Sequence, residues 1–254
     1  MSERVHRTAA VGFERAAGAY ERGRPDFPGE AVAFLVERLE LAPGRVLLEL
    51  GAGTGKLTRL LVQAGARIVA VEPVSAMREA LRAAAPSAAG LDAVAEDLPL
   101  PDASVDAAVA AQAFHWFDGP RAVHELGRVL PAGGPVALVW NVRDENEPWV
   151  RGLTELIEPY RGDAPSHRSM RWREAFDRSR RFAPLERVSF VYAHRTTADA
   201  VVDRIVSISF VAALPDAERE RVAEGVRALV PGAGPGAREV VFPYRTDVWT
   251  TRRR

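Results

Sequence analysis

RVLLELGAGTGKLTRLLVQAGARIVAVEP, residues 45–73, decides the fold. Its ends, RVLLEL (45–50) and RIVAVE (67–72), carry apolar residues at consecutive positions, as strands covered by helices on both faces do. Between them Leu57, Leu60, Leu61 and Ala64 recur at i, i+3, i+4 and i+7, and Gly65 stands where a helix ends. Strand, glycine-rich bend, helix and strand with short joins form the repeating unit of a doubly wound, Rossmann-like α/β fold.

The alternation continues on both sides. LDAVAE (91–96), VDAAVAAQA (105–113) and PVALVWN (135–141) read as further strands, and a helix capped by Ser75 buries Met77, Ala80, Leu81 and Ala84. Upstream, Phe13, Ala17 and Tyr20 mark one helix and Val32, Leu35, Val36 and Leu39 a second, opened by Pro28. Downstream, Trp149, Leu153, Leu156, Ile157 and Tyr160 form a helical stripe, followed by a polar, arginine-dense stretch over 161–184. A half-exposed strand at 187–193, helices near 197–212 and 215–230, a turn at 232–236 and a last strand at 239–251 complete the pattern. Pro243 cannot donate to a ladder, so a bulge or an edge is expected there. The chain therefore reads as one domain, 1–254: an N-terminal helical lid (1–44), a ligand-binding core (45–143), and a helical cap with closing strands (144–254).

Composition narrows the function. The 254 residues contain no cysteine, which excludes thiolate metal sites, disulfides and cysteine nucleophiles. The formal net charge is zero, so no overall field draws nucleic acid. No apolar run reaches membrane-helix length, and the charged start lacks a signal-peptide core, so a cytoplasmic protein is expected. The five histidines lack metal-ligand spacing.

The bend itself discriminates among nucleotide-like ligands. A triphosphate loop needs G-x-x-x-x-G-K followed by a hydroxyl, but Leu50 and Leu57 occupy the outer positions, leaving Lys56 as a surface residue. A dinucleotide bend needs G-x-G-x-x-G, whereas Gly51, Gly53 and Gly55 give G-x-G-x-G, with Lys56 in the third glycine's place. Glu49, an acid at an otherwise apolar strand end, is costly to bury unless it meets a cation or donors. The ammonium of a methionine moiety suits it better than a pyrophosphate. Glu72, at the end of the second strand, stands where ribose-binding acids stand.

LLELGAGTGKLT, VEP (71–73), AEDLPLPDASVDAAVAAQAFHWF (95–117) and ELGRVLPAGGPVALVWN (125–141), in this order, resemble the class I S-adenosylmethionine-dependent methyltransferases. FHWF (114–117), YERGRP (20–25) and FPYRTDVW (242–249) further look like a small-molecule branch that includes proteins similar to trans-aconitate methyltransferase. The resemblance implies a seven-stranded sheet whose last strand runs antiparallel between the fifth and sixth. It also implies S-adenosylmethionine contacts at Glu49, Gly51, Ala52, Gly53 and Gly55 for the methionine end, and at Glu72 for the ribose. Pro73, Met77, Ala95 and Glu96 fall near the adenine, with Gln112 also at the cofactor. Val94 departs from the acid that many relatives carry to bond the adenine amine.

Methyl transfer relies on alignment and exclusion of water, with a base only if the acceptor must lose a proton. QAFHWFD (112–118) follows the fourth strand at the carboxyl end of the sheet, where open α/β sheets place ligands. His115 is a candidate to bind or deprotonate the acceptor, Phe114, Trp116 and Phe117 to wall it in, and Tyr20 and Arg24 to act from the lid. The expected acceptor is a small molecule, attacked at a carboxylate or hydroxyl oxygen, by a monomer or homodimer that binds neither nucleic acid nor membrane. The arginines of 161–184 read as a solvated face, with an anion clamp as the alternative. An NAD-dependent oxidoreductase and a non-catalytic or non-methylating user of the cofactor are the competing readings.

Overall fold

A computed structural model describes residues 24–231 and 239–254. The expected first helix and the 232–236 turn lie outside these residues. A helix α1 (Gly29–Arg38) leads into β1 (Val46–Leu50), a short α2 (Thr58–Leu61), β2 (Arg67–Val71), α3 (Ser75–Ala84), β3 (Ala89–Leu91) and β4 (Ala107–Ala111). Then come a 3-10 turn (Phe114–Trp116), α4 (Gly119–Val129), β5 (Pro135–Arg143), α5 (Pro148–Ile157), α6 (Arg171–Asp177) and β6 (Glu186–Thr196). Helices α7 (Ala198–Val206), α8 (Ser209–Ala212) and α9 (Asp216–Leu229) precede β7 (Val240–Arg252).

The seven strands lie in the order β3-β2-β1-β4-β5-β7-β6, with β7 antiparallel to both neighbours. Side-chain alternation along β1 builds two layers. Leu47 packs with Leu35 of α1, Leu61 of α2 and Leu81 of α3, while Leu48 and Leu50 pack with Leu126 and Val129 of α4 and Phe176 of α6. A third cluster joins Leu153 of α5, Val201 and Ile205 of α7 and Val226 of α9 to Phe242 and Tyr244 of β7. This cap stands beside the carboxyl ends of the parallel strands. No helix among the described residues is long and apolar enough to cross a membrane.

Three local expectations change. The third strand is Ala89–Leu91, not 91–96, because Val94 and Asp97 close a tight turn in which Asp97 N–H donates to the Val94 carbonyl at 3.2 Å. Ser75 is the first residue of α3, and Val74 is its N-cap. Pro243 makes no bulge: the register runs unbroken through Ala193↔Pro243. Its carbonyl accepts from Asp144 just past the β5–β7 ladder, so a peptide N–H at 243 would point beyond that ladder.

Candidate functional site

The bend after β1 is built around positive backbone angles: φ is +65° at Gly51, +58° at Gly53 and +84° at Gly55. Ala52 N–H donates to the Val71 carbonyl and Gly55 N–H to that of Ala52, tying the loop to β2. A Cβ at Gly51 would lie 2.6 Å from Ala113 Cβ, and one at Gly55 2.8 Å from Leu81 Cδ1. At Gly53 the nearest atom would be Met77 Sδ at 3.9 Å, so Gly53 alone of the three faces open space. Two glycines serve packing; the middle one leaves a backbone approach.

Glu72 is buried, and both its oxygens engage the loop walls: Oε2 accepts from Gly53 N–H and Oε1 from Val74 N–H, each at 2.9 Å. Burial pushes its pKa up, and those two hydrogen bonds oppose the shift. Each oxygen keeps a second lone pair for a further donor. Glu49 is only 1% exposed, and its Oε2 has no partner among the described residues. Burial pushes its pKa up to about 7, with the Thr58 hydroxyl opposing. Such a carboxylate next to an open backbone cradle fits an ammonium-bearing methionine moiety.

A cavity of about 40 Å³ joins Glu49, Gly51, Ala52, Gly53 and Gln112 with Arg24 and Arg204. Lys56, expected at the surface, lines it too and holds its ammonium 3.6 Å from Asp26. Gln112 follows β4 with φ +57°, unusual outside glycine, and its Nε2 donates to the Asn141 carbonyl at 3.1 Å. Met77 lies beneath the bend and Pro73 is half-buried beside Glu72. Ala95 is in the core; Glu96 accepts from Asp118 N–H at 2.7 Å and so braces the turn after the 3-10 segment.

A second cavity, of about 110 Å³, shares Arg24, Gln112, Asn141 and Arg204 with the first and adds His115, Trp116, Arg143 and His167. The 3-10 turn delivers His115 and Trp116 to it, while Phe114 turns into the core. Trp140 Nε1–H donates to His115 Nδ1 at 3.3 Å, placing the imidazole proton on Nε2. Burial, then the charges of His167, Arg24 and Arg161, push the His115 pKa down to about 3. His115 is thus a neutral donor, better suited to binding an acceptor than to deprotonating it. Tyr20 lies outside the described residues.

Sequence reasoning missed His167, Arg143 and Arg204, which the cap brings from three separate segments. Arg204 alone left a signal: a cation inside the apolar stripe of Val201, Val202 and Ile205. In the arginine-dense stretch Arg168 pairs with Glu145, Arg173 with Asp177 and Arg178 with Glu174, as a solvated face would. A wider groove of about 970 Å³ runs between α4 and this stretch. It shares His115, Arg161, Pro165 and Ser166 with the second cavity but does not reach the glycine bend, so it fits an approach rather than the reacting centre.

A family model described as a methyltransferase domain matches residues 48–138. An uncharacterized methyltransferase of Mycobacterium tuberculosis is 41% identical over 224 residues, 88% of this chain and 87% of that one. A malonyl-[acyl-carrier protein] O-methyltransferase of Pectobacterium atrosepticum is 32% identical over 139 residues, 54% of each chain. Among solved structures, a putative type II methyltransferase from Anaeromyxobacter dehalogenans superposes with a TM-score of 0.59 at 28% identity, covering 91% of this chain and 97% of that one.

Proposed function

The chain belongs to the class I S-adenosylmethionine-dependent methyltransferases, and on that premise we propose that it methylates a carboxylate or hydroxyl oxygen of a small molecule held beside His115. The observation that carries this reading is that two cavities share Arg24, Gln112, Asn141 and Arg204 in their walls: one is lined by Glu49, whose Oε2 lacks a partner among the described residues, the other by His115 and Trp116. The cofactor, when bound, supplies an electrophilic methyl group on a sulfonium. Glu49 would hold the ammonium of its methionine end, Gly53 would admit it along the backbone, and Glu72 would accept from its ribose while still fixing the loop. Met77 and Pro73 would pack against the adenine, with Ala95 and Glu96 at its edge.

For the acceptor, Trp116 supplies an aromatic wall that excludes water, and the His115 Nε2–H a hydrogen bond that orients an oxygen. With its Nδ1 occupied by Trp140, His115 leaves no basic nitrogen facing the acceptor. An acceptor already ionised at neutral pH requires none, which favours a carboxylate. The O-methyltransferase relative supports oxygen as the acceptor atom, and the narrower likeness to the trans-aconitate methyltransferase branch belongs with this proposal. Family membership sets the NAD-dependent oxidoreductase aside.

The test is transfer of labelled methyl from S-adenosylmethionine to a panel of carboxylic acids, phenols and amines. Base-labile label in the acids supports the proposal; label confined to amines, or none despite cofactor binding, overturns it.

A further inference from the structure

Among the described residues, the cavity beside His115 is lined by five arginines, Arg24, Arg143, Arg161, Arg168 and Arg204, and by no carboxylate. Two have carboxylate partners on the outer side: Arg161 forms two hydrogen bonds of 2.8 Å with Glu158, and Arg168 pairs with Glu145. Arg143 and Arg204 differ. Neither forms an ion pair among the described residues. Arg204 is 8% exposed, and its Nε and Nη1 atoms lack a hydrogen-bond partner there. Arg143 uses Nη2 on the Thr154 hydroxyl at 3.1 Å and leaves Nη1 buried and unpartnered. Their charges are close enough to repel, since Arg204 helps burial push the Arg143 pKa down to about 9. Two like charges in the wall of one cavity, with buried and unused donors, are costly unless an anion joins them.

We propose that Arg143 and Arg204 form a paired guanidinium site for an anionic handle on the acceptor, a carboxylate or phosphate group separate from the oxygen that is methylated. This deepens the proposed function and rests on it. Each planar fork carries donors of the kind that recognise carboxylate and phosphate bidentately. Trp116, Ile208 and Phe210 line the same cavity and would meet the carbon frame between handle and reacting oxygen. The preferred acceptor is then an organic acid with at least two anionic or oxygen-bearing ends. A neutral phenol would leave the pair uncompensated.

The experiment uses the full chain saturated with S-adenosylhomocysteine. Calorimetry compares glutarate, phenyl phosphate and the neutral glutaramide as probes, in the wild type and in Arg143→Gln, Arg204→Gln and the charge-retaining Arg143→Lys. Binding of either anion without glutaramide, weakened at least tenfold by each Gln variant and less by Lys, is the expected result. The probe that binds tells carboxylate from phosphate. Anion binding indifferent to both Gln variants overturns the proposal, as does equal binding of glutaramide. If Arg204→Gln weakens S-adenosylhomocysteine itself while Arg143→Gln changes nothing, Arg204 serves the cofactor and the paired site is refuted. Cofactor binding without any probe binding refutes the pair alone; loss of cofactor binding in the wild type refutes the underlying function as well. Should a Gln variant fail to fold, Arg143→Lys and Arg204→Lys carry the comparison, and unchanged anion affinity in both overturns the proposal.

Discussion

Replacing Glu49 with Gln should stabilise the protein without cofactor and weaken its grip on the cofactor, and the first effect should depend on pH in a fixed direction. Burial raises the Glu49 carboxyl from 4.5 to about 7. The ionised form therefore costs on the order of 3 kcal/mol more in the folded chain than in water. Between those two pH values the folded chain binds more protons than the unfolded one, so stability falls as pH rises through this window and levels off above about 7. Gln carries no such cost. Melting curves of both proteins should nearly coincide near pH 4.5 and separate progressively toward pH 8, with the variant higher by roughly 2–4 °C per kcal/mol. S-adenosylhomocysteine should bind the wild type more tightly as pH rises through 7, because only the ionised carboxylate meets the ammonium. The Gln variant should lose affinity and this dependence. A melting difference constant from pH 5 to 8, or a variant less stable throughout, would mean that Glu49 is ionised against an internal partner and that burial does not hold its carboxyl neutral.

Further outcomes follow from the same geometry. Glu72→Ala should weaken S-adenosylhomocysteine by about 2 kcal/mol, read by calorimetry, since it loses charge-assisted hydrogen bonds and frees Gly53 and Val74 N–H groups; unchanged affinity would sink the ribose assignment. Gly55→Ala, whose Cβ would sit 2.8 Å from Leu81 Cδ1, should cost stability on the order of 2 kcal/mol in denaturant melts. Gly53→Ala, with room at 3.9 Å, should cost only about 1 kcal/mol yet lose more cofactor affinity than the Gly55 variant. His115→Ala should slow turnover while leaving cofactor affinity nearly intact. Because His115 and His167 are held neutral, with pKa values near 3 and 4, no histidine inflection should appear in kcat/KM between pH 5.5 and 8; one that vanishes in the His115 variant would restore it as a base.

The sheet was legible because each strand buried on both faces carries a run of apolar residues, and because the bend fixes where β1 ends and α2 begins. Residues 91–96 misled because Ala93, Val94 and Ala95 make a short apolar run as in a covered strand, yet the chain turns at Val94–Asp97. Pro243 misled in the opposite sense, because whether a missing N–H matters depends on where the neighbouring strand stops. At the site, local spacing exposed Glu49, the glycines and Glu72, which belong to one βα turn or to the strand beside it. The cavity beside His115 was less readable, since Arg143, His167 and Arg204 meet only after β5, the 161–184 stretch and α7 have packed together. His115 was visible as a residue type, but which of its nitrogens carries the proton depends on Trp140, which pairing of β4 with β5 brings beside it.

The proposed chemistry depends on the 51–55 bend, with Glu49 and Glu72, holding S-adenosylmethionine. Calorimetric titration of the wild type and Glu72→Ala with S-adenosylhomocysteine, beside NADH and ATP, tests it most directly. Saturable binding of the first alone is expected, with a dissociation constant on the order of micromolar (about −8 kcal/mol), weakened in the variant. Binding of NADH instead, or S-adenosylhomocysteine binding that ignores the loss of Glu72, would contradict it.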